Sequence, residues 1–507
     1  MRIRALVVLV VAGTLAAPAH AQVLLPSQDP FYAVPTGIAE LPNGTILKSR
    51  PVTAYALAIP LKVNAWQLEY KSLDVHNRPT AMVATVMVPL APWTGAGKRP
   101  LVSFQFAEDA SDAKCAPSYA LSAGALSLLT ESNASTETLL MSQALARGWA
   151  VVAPDYEGPD SHFFAAPEEA HGVLDGIRAA LAFRTAGFGA GTPTGMLGYS
   201  GGGYATSVAA LLQPSYAPKL RLAGAAIGSP TEDVNAEIRA FSGSLGGGAI
   251  AMAIAALERA YPKEDLGQYL NAAGRQAVAQ SAHTCLIEAA EQHPLARIES
   301  WEAQPNALEL PAVQRFLRSI SPLYMSGHPT VPVFEYHDAA DEFAPLGPAL
   351  ATMAKWCARG ATVDVHVSPG GEHITYEGGG LPLGLNYLAG RFAGQPAADT
   401  CPARVTKALR VAPRTIHVDR SGWITLRIQN PNSFRVTLVQ LAVRGAGSDR
   451  LLARRAMITR IGAHSARKIR VRLSKRAAHR AQILLTDRAA DGRTSTTSTH
   501  ILLNRSR

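Results

Sequence analysis

Between Thr80 and about Gly394 the chain alternates short, β-branched apolar runs with longer stretches whose apolar positions recur at helical spacing. The runs Met82 to Pro89, Leu101 to Phe106, Trp149 to Pro154, Thr194 to Tyr199, Leu222 to Ile227, Val331 to Tyr336 and Val363 to Val367 predict strands. Glu168 to Ala182 and Gly202 to Leu212 have helical spacing and no interior proline. This alternation predicts an α/β fold in which helices cover both faces of a sheet. One interval breaks the rhythm: from about Pro230 to Pro329 no strand is evident and Ala- and Leu-rich helical segments follow one another, as in an inserted helical cap. Within it, Gly246-Gly247-Gly248 precedes the small-residue stretch Ala249 to Leu257, which reads equally as a mobile lid or channel wall and as a buried cap helix. After Cys401 the pattern changes to strand-like runs, Trp423 to Ile428, Arg470 to Leu473 and Gln482 to Leu485, expected to form a β-sandwich of about 100 residues. The predicted division is a core from residues 22–228 and 330–401, a cap at 229–329 and a terminal domain at 402–507.

Length changes the picture little, since 507 residues exceed the roughly 250 to 300 at which one core stops growing. The first residues add a destination. Arg2 and Arg4 precede an apolar run from Ala5 to Ala17 and the small-x-small triplet Ala19-His20-Ala21, the layout of an export signal over residues 1–21. The run falls short of the about 20 residues of a membrane anchor, so a secreted or periplasmic location is expected. Four cysteines in an exported chain, Cys115, Cys285, Cys357 and Cys401, suggest two disulfides, and spacing alone chooses among none of the three pairings. No Cys-x-x-Cys pair suggests a zinc or redox site. Charge is unevenly placed: residues 403–507 hold 23 Lys and Arg against 4 Asp and Glu, a net +19, whereas the remainder holds 25 against 34, a net −9. The basic end reads either as a solvated β-domain surface or as an attachment to an anionic envelope or lipid surface, with no specific nucleic-acid partner expected.

The chemistry is concentrated in Thr194 to Tyr204, where a strand runs into Gly198-Tyr199-Ser200-Gly201-Gly202 and then a helix. This is the G-x-S-x-G elbow, in which a tight turn lifts the serine above the sheet and the following amide, here Gly201 N–H, faces a developing oxyanion. A serine hydroxyl needs a base and the base an orienting acid, in the chain order Ser, acid, His. The strand from Val331 ends in the acidic loop Asp338 to Pro345, where Asp338, Asp341 and Glu342 all qualify; distance along the loop favours Asp341 over Asp338. His373 lies on the loop beyond the next strand and is preferred to His366, a strand side chain, and to His417, His464, His479 and His500 in the basic segment. A second oxyanion donor is expected from the loop Gln105 to Ala110, with no glycine run to indicate which group. These features indicate a serine ester hydrolase that needs no metal or organic cofactor.

The elbow is accompanied by Asp29-Pro30-Phe31-Tyr32, Glu108-Asp109-Ala110, Cys115-Ala116-Pro117-Ser118-Tyr119, Asp155-Tyr156-Glu157-Gly158-Pro159, Asp341-Glu342-Phe343-Ala344-Pro345 and Gly371-Glu372-His373. Together these resemble the secretory lipase family, the lipase A type of secreted triacylglycerol lipases, over about residues 29 to 400. The resemblance implies an α/β-hydrolase fold, a triad of Ser200, Asp341 and His373, and an oxyanion hole made by Gly201 N–H with a protonated Asp109. It implies disulfides pairing Cys115 with Cys285 and Cys357 with Cys401, and a lipid or other ester substrate met at a lipid interface. The rival readings are a carboxylesterase on short-chain, aromatic or polymeric esters, a serine peptidase on the same scaffold, and a non-catalytic envelope-binding protein. The basic domain lies outside the resemblance.

Overall fold

The computed structural model describes residues 23–189 and 191–401, and in the basic segment residues 409–412, 415–430, 436–445, 451–461, 465–474, 480–488 and 494–505. The expected export segment, residues 1–21, lies outside the described residues.

The strands are β1 (Ile46–Val52), a short ribbon of β2 (Tyr55–Ala56) and β3 (Ile59–Pro60), then β4 (Val63–Leu73), β5 (Pro79–Pro89), β6 (Leu101–Gln105), β7 (Ala150–Pro154), β8 (Thr194–Tyr199), β9 (Gly224–Gly228), β10 (Val333–Asp338) and β11 (Val363–Ser368). All but the ribbon form one sheet in the order β1-β4-β5-β7-β6-β8-β9-β10-β11. The first three strands pair antiparallel and, from β7 to β11, every pairing is parallel. Each predicted strand of the core is present, with end shifts of up to three residues. Two strands, β1 and β4, were not foreseen. In β4 the polar residues Gln67, Glu69, Lys71 and Ser72 are buried among apolar ones, which breaks the apolar run that signals a strand. Their polar atoms are met by protein: Gln67 donates to the Ser118 carbonyl at 2.9 Å and Ser72 to Asp175 at 2.9 Å.

The helices are α1 (Pro117–Ala123), α2 (Asn133–Ala146), α3 (Ala166–Ala182) and α4 (Ser200–Tyr216), then α5 (Val234–Phe241), α6 (Ala249–Ala260), α7 (Ala272–Gln280), α8 (Leu286–Gln292), α9 (Ile298–Trp301) and α10 (Pro311–Ser319), followed by α11 (Leu346–Arg359) and α12 (His373–Phe392). Neighbouring strand residues face opposite sides of the sheet. Val86, Val152 and Met196 therefore join one apolar cluster with α3, α4 and α11, and Met87, Val151 and Leu197 a second with α1, α2 and α12. The interval between β9 and β10 carries α5 to α10, and its Ile250, Leu257, Ile298 and Phe316 continue the first cluster. Helix α12 is not among the predicted elements, and it carries a Gly378-Gly379-Gly380 run and an interior Pro382, both of which disfavour a helix locally. Gly384 belongs to close packing instead: a Cβ there would lie 3.1 Å from both Leu197 and Tyr336.

In the basic segment, β12 (Arg410–Ala412), β13 (Thr415–Val418), β14 (Trp423–Gln429), β15 (Val436–Gly445), β16 (Leu451–Ile461), β17 (Ala466–Arg472), β18 (Arg480–Arg488) and β19 (Thr494–Arg505) form one continuous eight-stranded sheet. It encloses its own core of Ile424, Leu426, Ile428, Leu441, Val443 and Ile483. The sandwich-like expectation is met by a single sheet around one core rather than by two unconnected sheets. Among the described residues no helix is long and apolar enough to cross a membrane.

Candidate active site

Ser200 is the first residue of α4, directly after β8, and has φ +54°, the left-handed region that a β-carbon resists. The turn is held because the next strand presses on it: a Cβ at Gly202 would overlap the Gln105 carbonyl of β6. The predicted helix therefore starts two residues earlier than its spacing indicated. At a helix start the first amides have no partner within the helix, which leaves Gly201 N–H available beside the hydroxyl.

His373 is the first residue of α12 rather than a loop residue, and Glu372 caps that helix by accepting from Thr375 N at 2.7 Å and Ile374 N at 3.0 Å. The imidazole is fixed on both sides. Ser200 Oγ lies 2.7 Å from His373 Nε2, and Asp341 Oδ2 lies 2.8 Å from His373 Nδ1. Tyr199 donates to the His373 carbonyl at 2.7 Å, and His373 N–H donates to Glu342 at 3.1 Å. The other oxygen of Asp341 accepts Ala344 N at 2.8 Å and Phe343 N at 3.1 Å. Burial alone would raise the Asp341 carboxyl, but the His373 bond and charge, with the amides, outweigh it and hold it below the usual carboxylate range. The competitor Asp338 turns instead to Ala340 N at 2.8 Å. His366 faces outward on β11, and Glu342 reaches only the His373 backbone.

Asp109 lies on the loop after β6 with φ +40°. Its Oδ1 occupies the space a Cβ at Gly201 would take and has no hydrogen-bond partner. Burial pushes its carboxyl up to about 7, with His373 opposing, so a protonated donor is physically available there. Three other groups of this loop are engaged: Ala107 N donates to Glu137 at 3.0 Å, Ala110 N to Glu157 at 3.2 Å, and the Gln105 side chain turns into the sheet.

The sequence reading missed the residues that hold this loop. Tyr156 OH donates to the Phe106 carbonyl at 2.5 Å, while Glu137 and Glu157 take its amides on either side of Asp109. Asp155 accepts from Ser118 N at 2.8 Å and Ser118 Oγ at 2.5 Å, so the Asp-Tyr-Glu-Gly-Pro and Cys-Ala-Pro-Ser-Tyr blocks lock to each other under the loop. Burial and mutual repulsion raise Glu108, Glu157 and Glu169 well above the carboxylate range. Cys115 bonds Cys285 and Cys357 bonds Cys401, the pairs that the resemblance implies.

The site opens into a cleft of about 640 Å³ whose walls include Phe163, Phe164, Ile250, Ala253, Leu286 and Phe343. Leu245, Ile287 and Ile374 line the same cleft and are exposed, at 73%, 37% and 60%. Two of its acids, Glu237 and Glu377, are pushed up to about 8, chiefly by burial. A smaller apolar cavity of about 70 Å³ inside the cap shares Ile238, Ile250 and Ala253 with the cleft.

A mostly parallel sheet with a serine elbow at the end of one central strand, and helices between β9 and β10 above it, defines the α/β-hydrolase class. Within that class, a secretory lipase family model matches residues 124–400, and the chain belongs to the secretory lipase family. Lipase 4 of Candida albicans is 34% identical over 405 residues, covering 76% of this chain and 86% of its own. A probable inactive lipase of Mycobacterium tuberculosis is 37% identical over 385 residues, covering 74% and 84%. The X-ray structure of Candida antarctica lipase A superposes with a TM-score of 0.69 at 28% identity, covering 76% of this chain and 90% of that one. A rice cell wall degrading esterase of Xanthomonas oryzae, at 18% identity and TM-score 0.56, shares the fold.

Proposed function

We propose that the protein is a secreted lipase that cleaves carboxylic esters, triacylglycerols or similar acyl esters, through an acyl-enzyme on Ser200. Family membership alone does not carry activity, since one relative is named a probable inactive lipase. The observation that carries the proposal is the unbroken chain Asp341, His373, Ser200, with bonds of 2.8 and 2.7 Å, opening into the apolar cleft. His373 Nε2 takes the Ser200 proton as Oγ bonds the ester carbonyl carbon. The oxyanion accepts hydrogen bonds from Gly201 N–H and the protonated Asp109 carboxyl. The proton on His373 passes to the leaving alcohol as the carbon–oxygen bond breaks. Water, deprotonated by the same ring, then releases the acid.

The exposed Leu245, Ile287 and Ile374 give the cleft an apolar rim suited to a lipid interface, and Phe163, Phe164, Ile250 and Leu286 line its interior with apolar surface suited to an acyl chain. The basic sheet adds a second contact. On the paired strands β14 and β17, Arg427, Lys468, Arg470 and Arg472 all face solvent, with Asp419 3.3 Å from Arg470, a surface suited to weak attachment to an anionic envelope.

Rates on esters of increasing acyl length, for the wild type and Ser200→Ala, test the assignment. Sustained activity on long chains is expected, with a loss of at least about 10⁴-fold in the variant. Activity confined to short chains points to a carboxylesterase, and cleavage of peptides to a peptidase. Failure of a fluorophosphonate to label Ser200 overturns catalysis altogether.

A further inference from the structure

Behind Asp341 lies a second histidine that the serine chemistry does not require. We propose that His337 is a positioning residue, a buried imidazolium that Glu335 holds in place and that shares the Asp341 carboxylate with His373, so setting how strongly that carboxylate engages the His373 ring. This rests on the reading of Ser200, His373 and Asp341 given above.

The argument starts from the alternation of β10. Glu335 and His337, two residues apart, point to the same side of the strand, and both side chains are fully buried. His337 Nε2 lies 2.8 Å from the Ala344 carbonyl. A carbonyl oxygen can only accept, so Nε2 carries hydrogen. His337 Nδ1 lies 2.8 Å from Glu335 Oε1, and Asp341 Oδ2 approaches Nε2 at 3.6 Å. With one carboxylate bonded and a second this close, the proton between ring and Glu335 belongs on the ring, and Nδ1–H donates. Burial disfavours the charged ring, but the Glu335 bond and the charges of Glu335 and Asp341 outweigh it and raise its affinity for the proton.

The other charged groups nearby leave this balance intact. Glu232, from the segment after β9, is pushed up to about 7 by burial and accepts from Ser207. Lys355 of α11 donates to the carbonyls of Pro322, Leu323 and Met325. Asp338 is turned to Ala340 N. From α12 comes His373 itself, which reaches the same Asp341 oxygen as His337.

The consequence is competition for that oxygen. With His337 charged, protonating His373 would place two imidazolium rings on one carboxylate. The Asp341 oxygen is thus divided between the two rings. Removing the charge of His337 frees Asp341 to favour the protonated His373, and activity is lost at higher pH.

Two measurements on the full-length protein decide it. In the pH dependence of kcat/KM on a short nitrophenyl ester, Glu335→Gln and His337→Gln are each expected to move the acid limb upward by about one pH unit. A purely packing role would lower kcat at every pH and leave the limb in place, and an unmoved limb in both variants overturns the proposal. Nitrogen-15 histidine NMR of the wild type near neutral pH, with His337 assigned from its loss in His337→Gln, should show hydrogen on both ring nitrogens. A bare Nδ1 overturns the proposal whatever the enzyme's kinetics. Hydrolysis persisting in Ser200→Ala would instead remove the serine mechanism, and the NMR result would still decide the charge of His337.

Discussion

At the scale of single residues, the site is built from conformations and charge states that an isolated chain would avoid. Ser200 at φ +54° and Asp109 at φ +40° each cost about 1 to 3 kcal/mol of backbone strain. Both are over-determined by neighbours: Ser200 by the Gln105 carbonyl pressing on Gly202, and Asp109 by the amides either side of it on Glu137 and Glu157. The useful form of Asp109 is the neutral one, and its carboxyl is pushed up to about 7 by burial. A raised pKa keeps the donor present below that pH and removes it as the pH rises through it. Asp109→Ala is expected to lower kcat by about 10² to 10³ at pH 6, as the loss of one oxyanion donor does. Asp109→Asn, which donates at every pH, should keep part of the rate and flatten the alkaline limb near pH 7. An alkaline limb identical in wild type and Asp109→Asn, followed by stopped-flow or steady-state assay, would remove Asp109 from this role.

Between elements, the main fact is that α6 serves two spaces. Its Ile250 and Ala253 face both the cleft above Ser200 and the cavity inside the cap. Most of α6 is buried, and its Ala249, Ile250 and Ala253 line the cleft. Ala253 stands in the wall that the cleft and the smaller cavity share. Ala253→Trp is expected to narrow the cleft at that wall. Activity on a four-carbon ester is expected to change little, while activity on chains of twelve carbons or more falls about ten-fold. Equal losses on both, measured with a homologous ester series, would place the long chain elsewhere. A thermal melt accompanies this assay, because overpacking a cap helix also costs about 1 to 3 kcal/mol.

At the scale of the whole molecule, the helical interval shares an apolar cluster with the central sheet, whereas the basic sheet keeps one of its own. The helical interval is tied to the segment after β6 by the Cys115–Cys285 disulfide, by the Ala110 to Cys285 bridge and by Ser111 N donating to the Thr284 carbonyl at 3.0 Å. The basic sheet has its own apolar core, and the charge of residues 403–507 stands at +19 against −9 for the rest. Removing residues 403–507 is expected to leave the hydrolysis of a soluble short-chain ester within about two-fold, since no site residue lies there. The same deletion should abolish sedimentation with anionic phosphatidylglycerol vesicles at low salt, binding that the full chain loses as salt rises past the physiological range. Equal vesicle binding with and without the segment would assign the positive charge to solubility alone.

Local patterns in the chain already name the candidate side chains of the proposed chemistry and their order. The Gly-x-Ser-x-Gly turn between strand and helix, the acid after the next parallel strand pair and the histidine beyond it are local patterns, because a strained turn and a strand end each demand particular residues at fixed spacing. Such patterns also mark the core strands whose apolar runs are uninterrupted, the helix-only interval between β9 and β10 and the uneven charge. Features whose partners are far apart in the chain become visible only in three dimensions; the folded path supplies them. It separated Asp341 from Asp338, since both suit the loop and only the three-dimensional path brings one within 2.8 Å of His373. It made strands of β4 and a helix of α12, where buried polar side chains and close-packed glycines override local preference. It gave Glu137, Tyr156, Glu157, Glu335 and His337 their places, because a buried polar group is informative only once the atom it must satisfy is known.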